Sequence, residues 1–497
     1  MDGGRTPDQQ DAIPRAELKR RAAAGVLIVS TRGMVILLVG FAGNLALARL
    51  LTPSDFGVVA IGMSFVVFAQ LVSDGGLGAG LIRRPEPPSR SELGALTALQ
   101  LGVTVTAVLL AVAVAAPLGN RVGWTVAVMV ASMPLVALQF PGRILLERAL
   151  LYRRLAVVEV TQVVGFYAWA LVTVIAGFGV WGLATATVVR AAIGTGAVAV
   201  ACPGSLMRPV WSIRLIRPLV GFGLRFQAVN ATWLVGTEAL SVSVAAISGV
   251  AALGLWSLVR RVMELPRQVL MALWRVSFPT MSRLVAAKED VSHLVERAVG
   301  MAAVGLCFVL TGLVGAAPGL IPGLFGEQWQ PATVIFPGVC FGLALSGPVS
   351  VATQGYLYAV EDAGAVLRSA LLHTALWFAV TLPLLPVIGV ASIGMGGVAA
   401  GVGEVTVLVR ATARRLRARL LRPLLAPLGV GVVSASFGWY LGRRWGEHLL
   451  SGILSGGCAM GLFVVGLAVL RRQLLRDTLR FAALTVRSAA SGRRSDG

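Results

Sequence analysis

The chain has 497 residues, of which 57% are hydrophobic and 13% charged, with a mean hydropathy of +0.83 and a formal net charge of +21. A water-soluble chain of this length carries about a quarter of its residues as charges, and here the apolar residues arrive in blocks of about 20, enough to cross a ~30 Å hydrocarbon core at 1.5 Å per residue. A soluble enzyme, a secreted disulfide scaffold and a disordered chain are excluded, and the expected fold class is an all-α polytopic membrane protein.

In chain order, residues 1–22 read as a polar N-terminal tail, and spans are predicted near 23–47, 56–73, 94–116, 122–140, 156–176 and 179–201. A second series follows near 219–247, 250–275, 298–317, 331–352, 366–383 and 388–409, and two more spans near 424–441 and 449–470. Fourteen spans place both termini on one side. Lys19-Arg20-Arg21 and the apolar run ending at Ala46-Leu47-Ala48 imitate a signal peptide, but the run far exceeds a 7–15-residue h-region and reads as the first span. The ends, 1–15 and 485–497, are Gly/Ser/Arg-rich and expected to be disordered.

The positions of the basic residues test the count. Arg supplies 41 of the 43, with Lys19 and Lys288 the exceptions, and 33 of them fall in the connections of one side. The other side holds four: Arg49, Arg121, Arg443 and Arg444. Cytoplasmic connections carry the excess of Lys and Arg, so both termini are expected to be cytoplasmic, and the basic connections to touch anionic lipid headgroups. A pI near 11.5 would suit nucleic-acid binding only on a soluble basic domain, and the sequence offers none.

Several chemistries lack their residues. Cys202, Cys307, Cys340 and Cys458 are scattered without metal-ligand spacing. No GxxxxGK[ST] occurs, and the glycine cluster Gly75-Gly76-Leu77-Gly78-Ala79-Gly80 follows no strand, so it reads as a helix end and not a phosphate loop. The outside connections are too short for an external catalytic domain. No catalytic residue, metal or cofactor is expected.

The two halves resemble each other. Leu51–Gly57 before the second span matches Ser248–Gly254 before the eighth, and Gly179-Val180-Trp181-Gly182 at the sixth matches the run from Gly389 at the twelfth. Six spans is an even number, so the repeats are parallel, around an axis along the membrane normal. The expected organisation is an N-lobe at 23–201, a linker at 202–218, a C-lobe at 219–410, two added helices with a basic loop at 411–470, and a basic tail at 471–497.

Ionisable residues inside spans are functional candidates, because each costs from about 2.5 kcal/mol upward at the bilayer centre. Six are basic: Arg32, Arg190, Arg225, Arg260, Arg261 and Arg267. Glu238, Glu264 and Glu404 are acidic, with Asp74 and Glu159 near span ends. Arg260, Glu264 and Arg267 fall at i, i+4 and i+7 on one helix stripe, which is either a salt-bridge ladder or a cationic wall whose guanidinium forks match phosphate oxygens. Gln227, Asn230, Thr237 and Ser241 give the seventh span a polar face suited to sugar hydroxyls or to helix pairing. Arg32 and Arg225 occupy corresponding helices of the two lobes. Substrate contact is assigned to Arg32, Arg225, Asn230, Arg260, Arg261 and Arg267. Asp74, Glu238, Glu264 and Glu404 are the candidates for ion coupling, and His373 reads as a helix-packing donor.

The segment Leu47-Ala48-Arg49-Leu50-Leu51-Thr52-Pro53-Ser54-Asp55-Phe56-Gly57, continuing through Gln70 and Ser73–Gly78, resembles the opening of Wzx-type polysaccharide flippases of the multidrug/oligosaccharidyl-lipid/polysaccharide exporter superfamily. Ala252–Ser257 with Leu265-Pro266, Phe278-Pro279 and Ser282-Arg283-Leu284 resembles the start of that family's second lobe, and Leu324–Trp329 with Pro331-Ala332 a third block. The family's usual Tyr-Arg in the eighth span is Val259-Arg260-Arg261 here. The resemblance, over roughly residues 20–470, implies a fold like that of the drug exporters and peptidoglycan-precursor flippases. It also implies a bacterial inner-membrane carrier that is not an enzyme and moves undecaprenyl-diphosphate-linked oligosaccharide outward by alternating access. Implied partners are the lipid-linked substrate, a polysaccharide polymerase and chain-length machinery around a monomeric carrier. A drug/cation antiporter of the superfamily would instead show an acidic cavity, and a non-transporting envelope scaffold would flip nothing.

Overall fold

The computed structural model describes residues 15–78, 81, 86–287 and 289–480; the side chains of 15–27, 29–30, 213, 216, 218–230, 232–233, 269, 272, 275–280 and 282 lie outside that description. The described residues are mostly helical, with no strand among them. The elements are α1 (Arg15–Leu50), α2 (Pro53–Asp74), α3 (Arg90–Leu118), α4 (Arg121–Val130), α5 (Met133–Arg148), α6 (Tyr152–Thr173) and α7 (Val180–Ala201). There follow α8 (Ile213–Ala286), α9 (Ser292–Phe325), α10 (Phe336–Ala359), α11 (Ala363–Ile388), α12 (Ala391–Ala413), α13 (Arg422–Trp445) and α14 (Leu449–Leu470). One π-helical turn, Val174–Phe178, closes α6, and a 3₁₀ segment, Glu327–Ile335, joins α9 to α10.

Helix starts follow from their capping residues. Ser89 and Glu92 form a reciprocal capping box at α3: the Glu92 amide donates to Ser89 Oγ (3.2 Å) and the Ser89 amide to Glu92 Oε2 (2.8 Å). The motif before α2 works likewise. Asp55 N donates to Thr52 Oγ1 (3.2 Å), Thr52 N donates to Asp55 Oδ2 (3.2 Å), and Pro53 takes the first helical position, where its missing N–H costs nothing.

Thirteen helical stretches among the described residues are long and apolar enough to cross a membrane, against the fourteen expected. The difference lies at Leu234–Gln268, a single stretch inside the 74-residue α8. Gly249, with φ 82° and ψ 171°, breaks that helix into arms 213–248 and 250–286. Arg260 reaches back to Glu238 and Ser241 across this break, so the arms lie side by side as a hairpin. The two spans expected at 219–247 and 250–275 correspond to these arms, joined at one glycine with no polar loop between them. A second correction concerns the connection near 141–155: α5 continues through Pro141 to Arg148, and only 149–151 separate it from α6.

The chain divides into two compact units, 1–51 with 61–231 and 52–60 with 232–497. In the first, α1 packs on α6, α6 on α7, and α3 on α4 and α5. Its polar groups turn inward: Gln162 Nε2 donates to Gln139 Oε1 (3.0 Å), and Gln139 Nε2 donates to the Ala191 carbonyl (2.9 Å). Helices in lipid associate through such hydrogen bonds and close small-residue contacts. In the second unit, α9 packs on α13 and α14, and α12 on α10 and α11. Large apolar side chains such as Ile175, Val200 and Val469 stay exposed at 72%, 82% and 78%, the pattern of helices facing hydrocarbon.

In the second unit the three sequence blocks converge. Phe56 packs edge-on against the buried Trp329 at 5.0 Å, and the Arg261 guanidinium sits over the same Phe56 ring at 5.5 Å. Gly57 and Gly254, equivalent positions of the repeat, meet: a Cβ on Gly57 would lie 1.7 Å from the Val250 carbonyl oxygen, and one on Gly254 1.7 Å from that of Pro53.

Candidate functional site: a carboxylate-bridged arginine cluster

Within the first unit, α1 is docked on α6 at two levels. At one, Asn44 Nδ2 donates to the Tyr167 hydroxyl (2.7 Å), whose ring fills the notch at Gly43. At the other, Arg32 Nη1 lies 2.9 Å from Glu159 Oε2. The second carboxylate oxygen, Glu159 Oε1, accepts from Arg143 Nη2 on α5 at 2.7 Å. One carboxylate thus bridges two guanidinium groups from different helices.

This bridge lines a cavity of about 610 Å³ walled by Arg32, Glu147, Arg148, Leu150, Tyr152, Leu155 and Glu159. Arg148 is braced by the backbone: Nη1 donates to the Leu81 carbonyl (2.5 Å) and Nη2 to that of Glu86 (3.0 Å). Arg190 on α7 is within electrostatic reach of Tyr167, Arg143 and Glu159, and Asp74 at the end of α2 within reach of Glu147. The wall itself pairs two arginines, Arg32 and Arg148, with two glutamates, Glu147 and Glu159, and Arg143 adds a third guanidinium behind Glu159. The guanidinium fork binds carboxylate and phosphate oxygens alike, so an arrangement that grips Glu159 can grip a phosphate.

Of the residues singled out by sequence, Arg32 stands in this cavity. Arg143, Glu147 and Arg148 were missed as site residues because a predicted loop at 141–155 made the arginines topological anchors. The signal was present: Arg143 and Glu147 are four apart, on one face of a helix once α5 is extended.

The remaining candidates lie elsewhere. The side chains of Arg225 and Asn230 fall outside the described ones. Arg260 is bound to Glu238 (Nη2 to Oε1, 3.0 Å) and to Ser241 Oγ (2.9 Å), while Glu264 accepts from Gln268 Nε2 (2.8 Å). Of the two readings of the Arg260, Glu264 and Arg267 stripe, the ladder is not seen: Arg260 pairs with a carboxylate on the facing arm of α8 instead. Arg261 is occupied with Phe56, and Arg267 is exposed. Glu404 on α12 is buried, with its Oε2 2.9 Å from His373 Nδ1 on α11 and its Oε1 accepting from Ser350 Oγ on α10 at 2.6 Å. His373 stacks edge-on with Trp377 (5.3 Å), which meets Trp256 (5.9 Å). His373 thus faces a buried carboxylate as well as packing between aromatic rings.

Comparison with known proteins places this architecture. A family model described as "Polysaccharide biosynthesis protein" matches residues 46–334, more than half of the chain. The succinoglycan biosynthesis transport protein ExoT of Rhizobium meliloti (strain 1021) is 25% identical over 499 residues, covering 90% of this chain and 92% of that protein. The lipopolysaccharide biosynthesis protein WzxC of Escherichia coli (strain K12) is 22% identical over 343 residues, covering 65% and 67%. Among solved structures, the lipid II flippase MurJ in an inward closed conformation superposes with a TM-score of 0.70 at 10% identity, over 90% of this chain and 100% of that one. An inward-facing multidrug resistance MATE family transporter of the MOP superfamily gives 0.56 at 14% identity, over 78% and 98%. The fold is that of these transporters and the protein is not an enzyme. The chain belongs to the polysaccharide biosynthesis protein family.

Proposed function

We propose that the protein carries an undecaprenyl-diphosphate-linked oligosaccharide from the inner to the outer leaflet of a bacterial inner membrane by alternating access, with both termini cytoplasmic. The observation that carries this reading is the arginine cluster around the 610 Å³ cavity, in which Arg32 and Arg143 hold a carboxylate as they would hold a phosphate and Arg148 lines the wall. The ordering of 33 basic residues on one side against four on the other supports the orientation. Arg225, Asn230, Arg260, Arg261 and Arg267 are assigned substrate contact from the sequence alone. A polymerase and chain-length machinery would take over the product at the outer face, and the carrier is read as a monomer.

A membrane potential negative inside favours outward movement of an anion by ~2.3 kcal/mol per charge per 100 mV, or roughly 4–5 kcal/mol for a diphosphate with two charges. A coupling cation is therefore not required; Asp74, Glu238, Glu264 and Glu404 remain the carboxylates assigned to one. The drug/cation antiporter reading would need an acidic cavity, and in this one Arg32 and Arg148 balance Glu147 and Glu159.

The test is flipping of a fluorescent lipid-diphosphate oligosaccharide in vesicles containing the purified protein. Neutralising Arg32 and Arg148 together (R32Q/R148Q) is expected to reduce the flipping rate at least tenfold, while the protein still inserts and purifies. Unchanged flipping in that variant would remove the cavity from the substrate path, and no flipping by the unaltered chain would favour a scaffold.

A further inference from the structure

The guanidinium groups that the proposed function reserves for phosphate are not vacant: each grips one oxygen of Glu159, at 2.9 Å from Arg32 and 2.7 Å from Arg143. The three side chains come from α1, α5 and α6, and are exposed to only 24%, 31% and 19% for Arg32, Arg143 and Glu159. Arg32 Nε, buried, finds no hydrogen-bond partner among the described residues, so its guanidinium keeps donor capacity beyond what Glu159 uses. From this geometry we infer that Glu159 is a specificity-determining residue, an internal anion that occupies the phosphate-binding guanidinium groups of the empty cavity and yields them to a doubly charged diphosphate but not to a singly charged phosphodiester. The inference rests on the proposed function, since it concerns which anion the same cavity accepts.

The physical reason is competition. The bilayer around the cavity is rich in lipids whose phosphodiester carries one negative charge, and a bare pair of arginines would be filled by them. A tethered carboxylate presents the same single charge at an effective concentration in the millimolar range or above, so it outcompetes a free mono-anion without any clash. A diphosphate brings about two charges and more acceptor oxygens, enough to engage both forks and Arg148 at once. Glu147, on the same wall, adds a second negative charge that raises the threshold for every incoming anion. Glu159 sits inside α6, where it can swing on its own rotamers but cannot depart, so the exchange is reversible and resets when the substrate leaves. The same carboxylate spares the empty carrier two unpaired, mostly buried positive charges.

The experiment measures binding of a geranyl-diphosphate-linked hexose, a pyrophosphate diester with two charges, and of dihexanoyl phosphatidylglycerol to the full chain in nanodiscs of zwitterionic lipid. The unaltered protein is expected to prefer the diphosphate. In E159Q the affinity for phosphatidylglycerol should rise about tenfold and the preference fall by about the same factor, a shift of roughly 1.4 kcal/mol. E159D keeps the charge but withdraws the carboxylate by one methylene, and its preference should lie between the two; it carries the test if E159Q does not fold. A preference unchanged in both variants, or both ligands weakened in parallel, overturns the inference and leaves Glu159 a structural pairing. R32Q separates this from the reading beneath it: loss of diphosphate binding in R32Q with an unchanged preference in E159Q rejects Glu159 alone, while R32Q that binds the diphosphate normally rejects the cavity itself.

Discussion

At the scale of single residues, the charges inside the apolar helices are held in pairs that sequence spacing does not show. Glu404 could be picked out by its position in an apolar run, but its partner is His373 on another helix, and nothing in the spacing of either connects them. The pair is mostly buried, at 14% and 6% side-chain exposure, so removing one member strands the other in a medium that cannot solvate it. His373→Ala is therefore expected to destabilise the protein by ~1–3 kcal/mol, whereas the double change His373→Leu with Glu404→Leu, which removes both polar groups and keeps volume, should cost far less. Thermal unfolding of detergent-solubilised protein checks this. Equal melting temperatures for the single and double variants would mean that the pair adds nothing beyond packing. The same logic explains why Arg260 departs from its expected ladder: Glu238 on the facing arm offers a carboxylate backed by Ser241, while Glu264 already accepts from Gln268.

At the scale of elements, the lengths of the helices were legible because hydrocarbon thickness fixes them, and their ends were legible where a cap is written in the chain, as in Thr52-Pro53-Ser54-Asp55. Where a helix ends without such a signal, the reading failed. The span predicted at 122–140 stops short, whereas α5 runs on through Pro141 to Arg148, and that difference hid Arg143 and Glu147 from the site. The break at Gly249, by contrast, falls between the spans predicted at 219–247 and 250–275, although the apolar pattern did not show that a single glycine with left-handed φ carries it without a loop. The repeat was visible as an offset; its structural meaning is the crossing of Gly57 and Gly254, where each position faces backbone atoms of the other segment. Backbone cannot rotate aside as a side chain can. Gly254→Ala is expected to lower stability by ~1–3 kcal/mol through overpacking, seen as a lowered melting temperature. Gly429→Ala is the control: it has nothing within 4 Å of its would-be Cβ and should leave the melting temperature near that of the unaltered chain. If the two alanines behaved alike, the close approach at Gly254 would not be a tight contact in the folded protein.

At the scale of the whole molecule, the class of protein followed from the distribution of charge and not from its sum. Most of the basic residues lie in connections, where the proposed topology has them orient the chain, while Arg32, Arg143 and Arg148 are the ones proposed to meet what enters the cavity. That division makes the driving force measurable. If the carrier moves a dianionic headgroup and no compensating cation, the potential acts on the full charge. In vesicles whose substrate-loading side is held at −100 mV, the lipid should redistribute toward the far leaflet with a bias of roughly 4–5 kcal/mol, about three orders of magnitude at equilibrium. Reversing the potential should reverse the bias, because only the sign of the field changes. Co-transport of one proton or sodium ion would cancel one charge and halve the slope of the bias against voltage; two would abolish it. The slope, read from the leaflet distribution of a fluorescent lipid diphosphate at several imposed potentials, counts the net charge carried per cycle. A slope of two charges leaves the intramembrane carboxylates to structural pairing, and a lower slope returns Asp74, Glu238, Glu264 and Glu404 to the task of binding a cation.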